Sequence, residues 1–223
     1  MPRPQLALFD CDGTLIDSQH AIVAAMSAAW RSDGMEPPPS AAIRQVVGLS
    51  LIEAIAVLLP DAPYERCFML GERYKQAFGE ARRRGAYPEP LYPNVREALD
   101  DLSAHGVLLG IATGKSRRGL LTALDAHGLR DRFVTLHTAD DGPSKPHPDM
   151  TLQALANTGV EARDAVVIGD TSYDMMMAAN ANVTALGVAW GYHDAMTLQA
   201  NGAQRVLKNA NELPSAVLSS FPP

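Results

Sequence analysis

Short apolar runs alternate with helical stretches in the second part of the sequence, and this alternation limits the fold more than any other feature. "VLLGIAT" (107–113), "FVTLHTA" (133–139), "DAVVIGD" (164–170) and "VTALGVA" (183–189) have the length of buried strands, and helix-like segments separate them. Such alternation is typical of βαβ units, which form a parallel sheet. Another apolar run, Leu6 to Phe9, predicts a first strand. We therefore predict an α/β fold with a doubly wound, Rossmann-like parallel sheet.

A different pattern fills the segment from Ser18 to about Gly85. Apolar residues recur at helical spacing in "HAIVAAMSAAW" and "LIEAIAVLLP", and a long segment with a polar face follows from Tyr64 to Arg84. The proline-rich "AYPEPLYP" (86–93) then reads as a connector. We expect residues 1–17 and 86–223 to form the α/β core, with 18–85 inserted as an α-helical cap domain.

The composition excludes several classes of protein. The formal net charge of −6 argues against a nucleic-acid or anionic-membrane surface. Two cysteines far apart in the sequence do not suggest a disulfide framework. No run approaches the roughly 18 apolar residues of a membrane span, and the N-terminus does not resemble a signal peptide. We expect a cytoplasmic protein, a monomer or homodimer, with neither nucleic acid nor membrane as partner.

Polar residues follow the first four strands of the predicted core. Asp10 and Asp12 end the first strand, Thr113 ends the second, and Lys145 comes after the third. Asp170 ends the fourth strand, with Asp174 four residues further on. Open parallel sheets bind ligands beyond the carboxyl ends of their strands, so we expect these side chains to form one site.

The residue types at this site indicate phosphoryl transfer. Converging carboxylates repel one another, and a hard cation such as Mg²⁺, which binds carboxylates and phosphate oxygens, would relieve that repulsion. Thr113, the backbone N–H groups beside it at Gly114, and the ammonium of Lys145 supply what a phosphate group needs. Acids for a metal and donors for an anion together predict this chemistry.

Four segments, "DCDGTLIDS", "TGKS", "KPHPD" and "GDTSYD", resemble in order and spacing the motifs of the haloacid dehalogenase superfamily of phosphohydrolases. The resemblance covers the whole core, and the insertion after the first motif is similar to the helical cap of that superfamily. Among its branches, the phosphoglycolate-phosphatase branch shares the cap and a "DxDGTLxDS" opening.

This resemblance implies a role for each matching residue. Asp10 would be the nucleophile that forms an aspartyl-phosphate, and Asp12 the general acid and then the base. Thr113 and Lys145 would bind the transferring phosphoryl group, with Gly13 and Gly114 beside it. The Mg²⁺ ligands would be Asp10, the backbone carbonyl of Asp12, and Asp170, with Asp174 supporting them. The implied function is a Mg²⁺-dependent phosphatase acting on a small phosphorylated metabolite.

Several alternatives remain open at this stage. A pyrophosphatase and a phosphosugar mutase belong to the same superfamily, and a non-catalytic binding protein could keep the fold. A halide-removing enzyme needs no acid for its leaving group, so Asp12 argues against it. "GIATGKS" has one residue too few for a P-loop. The cap turn "VGLSLIEA" lacks the cation that a mutase would need for a second phosphate, and Arg82 to Arg84 read as a solvated helix end.

Overall fold

The computed structural model describes residues 3–222, so residues 1–2 and 223 of the predicted core lie outside it. Six strands lie in this range: β1 (Leu6–Phe9), β2 (Leu108–Ala112), β3 (Thr135–His137), β4 (Ala165–Gly169), β5 (Thr184–Val188) and β6 (Arg205–Leu207). They form one sheet in the order β3-β2-β1-β4-β5-β6, and every pair is parallel. The predicted doubly wound α/β fold is confirmed.

The same range contains ten α-helices. The first four are α1 (Gln19–Ser32), α2 (Ser40–Gln45), α3 (Leu51–Leu58) and α4 (Tyr64–Arg83). The others are α5 (Val95–Ala104), α6 (Arg117–Ala126), α7 (Asp149–Thr158), α8 (Ser172–Asn180), α9 (Ala195–Ala200) and α10 (Leu213–Ser220). Three short elements, β6, α9 and α10, were not expected from the sequence. None of the described helices combines the length and apolar character needed to cross a bilayer.

The central strand β1 shows how the sheet separates two layers of the core. Its four residues are all buried, and they alternate between two hydrophobic clusters. Ala7 and Phe9 belong to the cluster that includes residues of α5, α6 and α10, while Leu6 and Leu8 belong to the cluster that includes residues of α7, α8 and α9. A strand buried on both faces reads as a continuous apolar run, which explains "LALF".

The helices α1 to α4 bury a third cluster of their own, built around Trp30, Ile43, Ile55 and Leu70. They leave the sheet after β1 and return to it before α5. We propose, as the sequence predicted, that residues 18–85 form the cap, and we use that word for them below.

β1 lies at the point where the winding of the sheet reverses. It pairs with β2 on one side and β4 on the other, so Leu8 lies beside both Gly110 and Val167. The crossovers from β1 therefore leave a crevice beyond its carboxyl end, between the loops after β1, β2 and β4. This crevice is the expected position for a ligand site.

We expect Leu99→Ala to reduce the free energy of unfolding by about 2–5 kcal/mol, because it opens a cavity at a fully buried position of α5. Leu152→Ala is the matched control, since Leu152 on α7 is 48% exposed and should cost less than about 0.5 kcal/mol. Urea unfolding measures both. Equal losses would contradict the described packing of α5.

Candidate active site

The site begins where β1 ends. Asp10 is 2% exposed, and its Oδ1 accepts a hydrogen bond from the Lys145 ammonium at 2.6 Å. The other oxygen of Asp10, Oδ2, is buried and has no hydrogen-bond partner among residues 3–222. Burial raises the pKa of Asp10 from 3.8 to about 7, although the nearby Lys145 opposes this shift. This carboxylate therefore has an unused oxygen and an incompletely balanced charge.

Lys145 is enclosed between two acids. Its ammonium donates to Asp10 and, at 2.5 Å, to Oδ1 of Asp174 on α8. Burial alone lowers the pKa of Lys145, but the two carboxylates outweigh it and raise the pKa above its ordinary value. Its two contacts therefore fix the loop before α7 to the end of β1 and the start of α8.

Asp174 has a structural role as well. Its Oδ2 accepts hydrogen bonds from the backbone N–H and the hydroxyl of Thr171, at 3.0 and 2.7 Å, which completes a capping box for α8. A cap of this kind satisfies backbone donors that the first turn of a helix leaves free. The Asp174 carboxylate thus caps the N-terminus of α8 and also accepts a hydrogen bond from Lys145.

Asp170 follows β4 and is completely buried. Its Oδ1 accepts a hydrogen bond from the Thr14 hydroxyl, and its Oδ2 accepts one from the backbone N–H of Tyr192, each at 2.8 Å. Burial raises the pKa of Asp170 well above its ordinary range, and the charges of Asp10 and Asp174 raise it further. These donors orient Asp170 but leave its charge unneutralised.

A cation would fit this arrangement. Asp10, Asp170 and Asp174 each place one carboxylate oxygen so that the three oxygens lie within 4.8 Å of one another. Three acids face a single ammonium, so the ionised cluster would carry a net charge of about −2, and one of its oxygens has no donor. Among the described residues, the side chain of Asp12 is not part of this cluster. Of the four predicted metal ligands, Asp12 could therefore contribute only its backbone carbonyl, as the resemblance implies.

Asp12 instead pairs with Lys115, which the sequence interpretation did not single out. The Lys115 ammonium donates to both carboxylate oxygens of Asp12 at 2.7 Å. Burial lowers the pKa of Lys115, but Asp12 more than offsets this and raises it overall. Lys115 stands two residues after Thr113 within the quoted "TGKS", and that position was the only available signal.

Two glycines are required by close approaches. Gly13 has a φ of +95°, and a Cβ there would lie 2.2 Å from Oδ2 of Asp170. A Cβ on Gly114 would lie 2.4 Å from the carbonyl oxygen of Leu49 in the cap. Gly114 therefore lets the cap turn contact the loop after β2, a reason the sequence did not reveal.

Thr113 lies at the end of β2 and is buried, and its hydroxyl accepts a hydrogen bond from the backbone N–H of Lys115 at 3.3 Å. The structure thus brings Asp10, Asp12, Gly13, Thr113, Gly114, Lys145, Asp170 and Asp174 to the carboxyl ends of β1, β2 and β4 and the adjoining loops. The roles that the resemblance assigns to them stay predictions.

A cavity of about 1030 Å³ opens between these loops and the cap. Asp10, Asp12 and Thr113 line it from the core, while Leu51, Ile52 and Phe78 belong to the residues that line it from the cap. Cationic residues of α4 and α6 line it too, namely Arg73, Lys75, Arg82, Arg83 and Arg118. The lack of a cation in the cap turn is therefore not evidence against binding of a second anionic group. Arg82 also pairs with Glu89 at 2.6 Å, so it is not only a solvated residue at a helix end, as the sequence had suggested.

The chain is similar in sequence to known hydrolases and phosphatases. Residues 7–188 match the family described as haloacid dehalogenase-like hydrolase. The chain is 34% identical to a protein of Dickeya dadantii named probable phosphatase IndB, over 97% of each. It is 30% identical to a phosphoglycolate phosphatase of Psychrobacter arcticus, over 98% of this chain and 97% of that one, and 30% identical to the pyrophosphatase PpaX of Bacillus velezensis, over 95% of each.

A solved structure agrees with the sequence comparisons. A hydrolase from Pseudomonas syringae superposes with a TM-score of 0.84 at 26% identity, covering 98% of this chain and 100% of that one. The likeness therefore includes the cap as well as the sheet.

The buried acids predict a pH dependence of stability. The folded-state pKa of Asp10, about 7, exceeds its ordinary 3.8, so the folded protein retains a proton that the unfolded chain has lost. We expect the free energy of unfolding in EDTA to fall as pH rises from about 4 to 7, by at most about 1.36 kcal/mol per pH unit for one such group. Asp10→Asn should flatten this slope.

Urea unfolding across that range measures the effect, and Asp131→Asn, at an exposed acid, is the matched control. An unchanged slope in Asp10→Asn would show that Asp10 is ionised throughout, contrary to this expectation.

Proposed function

Because this chain belongs to the haloacid dehalogenase-like hydrolase family, we propose that it is a Mg²⁺-dependent phosphatase that hydrolyses a small phosphate monoester through an aspartyl-phosphate on Asp10. The single observation that carries the proposal is the acidic cluster at the switch point of the sheet, with its buried lysine and the free oxygen of Asp10. The names of the relatives, phosphatases among them, support the reaction class.

Asp10 is the nucleophile in this proposal. Its Oδ1 is held by Lys145, which leaves Oδ2 to attack phosphorus. Asp10, Asp170 and the carbonyl of Asp12 would hold Mg²⁺, supported by Asp174, and the bound ion would neutralise the phosphate and acids and polarise the phosphoryl group. Lys145 and the donors at Thr113 and Gly114 would steady the phosphoryl oxygens.

Asp12 acts first as the general acid and then as the general base in this proposal. As the P–O bond to the leaving group breaks, Asp12 gives its proton to the leaving oxygen, and its carboxylate later takes a proton from the water that attacks the aspartyl-phosphate. The reaction regenerates both acids and releases an alcohol and phosphate.

The cap limits access of water during these steps. The backbone N–H of Ser50 donates to the Ser144 hydroxyl at 2.7 Å, while Tyr173 and His193 contact the Gln45 carbonyl at 3.1 and 3.3 Å. These contacts seat the cap turn against the loops of the site. A closed site strengthens the electrostatic interactions within it, and its size limits the substrate.

A phosphoglycolate-like substrate is the class we favour, since its branch shares the opening motif and the relative from Psychrobacter arcticus carries that name. Pyrophosphate is the second candidate, because the equally similar PpaX is named a pyrophosphatase and the cavity has cationic residues for a second anion. Phosphate release from a panel containing 2-phosphoglycolate, pyrophosphate, hexose phosphates and p-nitrophenyl phosphate separates these candidates.

We expect Asp10→Asn to abolish turnover of every substrate in the panel, because an amide of the same volume cannot attack phosphorus. The folded state should persist, as measured by circular dichroism. Beryllofluoride, an aspartyl-phosphate mimic, should protect the wild type but not the variant against thermal unfolding. Asp131→Asn, the matched control, should retain full activity, and substantial Mg²⁺-dependent activity in Asp10→Asn would exclude Asp10 as nucleophile.

We expect activity to be lost in EDTA and restored by Mg²⁺, because the acids otherwise repel the phosphate. Independently of activity, Mg²⁺ should raise the melting temperature of the wild type; a hundredfold excess over Kd corresponds to about 2.7 kcal/mol. Asp170→Asn should remove most of that rise, whereas Asp131→Asn should keep it. Full activity in EDTA, or an equal rise in Asp170→Asn, would contradict the assigned metal site.

A further inference from the structure

Within the described part of the chain, one side chain, that of Lys115, donates hydrogen bonds to the Asp12 carboxylate. The ammonium donates to both oxygens at 2.7 Å, and the two side chains are only 10% and 12% exposed. Asp12 and Lys115 belong to different loops, after β1 and after β2. The direction in which Asp12 points therefore depends on where the Lys115 ammonium is held.

A lysine is a poor positioning group by itself, because its ammonium sits on a flexible four-carbon chain. Here the ammonium also lies 5.4 Å from the centre of the Phe78 ring, within cation–π range. Phe78 belongs to α4 of the cap and packs against Tyr74 of the same helix. The cap thus supplies an aromatic contact that restricts Lys115.

Phe78 is itself tied to the connector between cap and core. The Arg82 guanidinium lies 5.1 Å from the centre of the same ring and pairs with Glu89 of the connector at 2.6 Å. A continuous set of contacts, Asp12–Lys115–Phe78–Arg82–Glu89, therefore joins the cap and its connector to the loop after β1. Movement of α4 away from the core would remove the aromatic contact from Lys115.

We propose that Lys115 is a positioning residue that orients Asp12 toward the leaving-group oxygen. We propose further that Phe78 makes this orientation depend on a cap that is packed against the core. The inference rests on the proposed function, in which Asp12 is the proton donor. Lys115 holds both oxygens of Asp12 in this structure, so one of the two hydrogen bonds must give way when Asp12 takes up its proton and turns that oxygen to the leaving group, while the other bond is kept. The acid would then be correctly placed only when the cap is closed over a substrate.

The leaving group provides the test. Ethyl phosphate leaves as a basic alkoxide that needs a proton, whereas p-nitrophenolate leaves without one. General acid catalysis contributes typically about 10²–10⁴-fold, and a misplacement of 1 Å can cost about 10²-fold. We expect Lys115→Met to lower kcat/KM for ethyl phosphate by about 10- to 100-fold and for p-nitrophenyl phosphate by less than about 3-fold.

Three further measurements separate positioning from substrate binding and from a structural role. Lys115→Arg, which can bind a carboxylate through two hydrogen bonds, should restore much of the ethyl phosphate activity. Lys115→Met should lower kcat rather than raise KM, and the loss should be equal for ethyl phosphate and anionic 2-phosphoglycolate. Lys208→Met, at an exposed lysine, is the matched control.

Phe78→Leu tests the link to the cap and keeps Lys115 itself. It should lower kcat/KM for ethyl phosphate by about 3- to 10-fold, and it should add nothing in a Lys115→Met background, because the two residues act in series. Phe68→Leu on the exposed face of α4 is the control. If Lys115→Met fails to fold, because it leaves Asp12 buried without its partner, Lys115→Arg and Phe78→Leu decide the matter.

Three results would overturn the inference. Equal losses on both esters would show that Lys115 does not act through the acid. A rise in KM confined to 2-phosphoglycolate would make Lys115 a substrate ligand. Additive effects of Lys115→Met and Phe78→Leu would break the link to the cap. A wild type that hydrolyses neither these two esters nor 2-phosphoglycolate would defeat the proposed function and the inference with it. An active wild type whose ratio of losses on the two kinds of ester does not change in Lys115→Met would defeat the inference alone.

Discussion

The buried ammonium of Lys145 is the constraint on which the rest of the site depends. It lies between Asp10 and Asp174, and neither its side chain nor that of Asp174 is exposed. Breaking a buried ion pair leaves a charge that the interior cannot solvate, at a cost of about 3–5 kcal/mol. Lys145 therefore fixes three chain segments at once: the end of β1, the start of α8 and the loop that precedes α7. Asp10 is held in place because this ammonium binds its carboxylate.

That arrangement is incomplete by itself, which makes it suited to chemistry rather than to stability. One lysine cannot balance three buried acids, and burial has raised the pKa values of Asp10 and Asp170 instead. A group that binds there, whether a cation or a phosphate with its cation, supplies the missing charge balance. Buried acids with unbalanced charge are typical of functional sites because a well-paired cluster would gain nothing from a ligand.

The cap reaches the same site through close backbone approaches as well as side chains. Gly114 lets the Leu49 carbonyl approach the loop after β2, and the Ser144 hydroxyl accepts a hydrogen bond from the backbone N–H of Ser50. On the side of Lys115, the contact is made by the ring of Phe78. The core thus carries the acidic cluster, and the cap covers it through backbone and side-chain contacts.

The sequence by itself determined the layout of the core. Strand periodicity and strand-end polarity need only local information, so the strand Leu6–Phe9 and the acids at Asp10, Asp12 and Asp170 could be read directly. Elements with weak local signals were missed: β6 has three residues, one of them an exposed arginine at the edge of the sheet. A strand that short forms because a neighbour offers hydrogen bonds, not because its own pattern requires it.

Only the tertiary structure decided how charges are paired. Lys115 and Asp12 are 103 positions apart, and the sequence carries no mark that one should hold the other. The same holds for the cationic residues that α4 and α6 bring to the cavity, and for the reason why residue 114 is a glycine. Hydrophobic periodicity is a property of neighbours along the chain, so a sequence displays it. The pairing of buried charges depends on distances across the fold, so it exists only once the chain has folded.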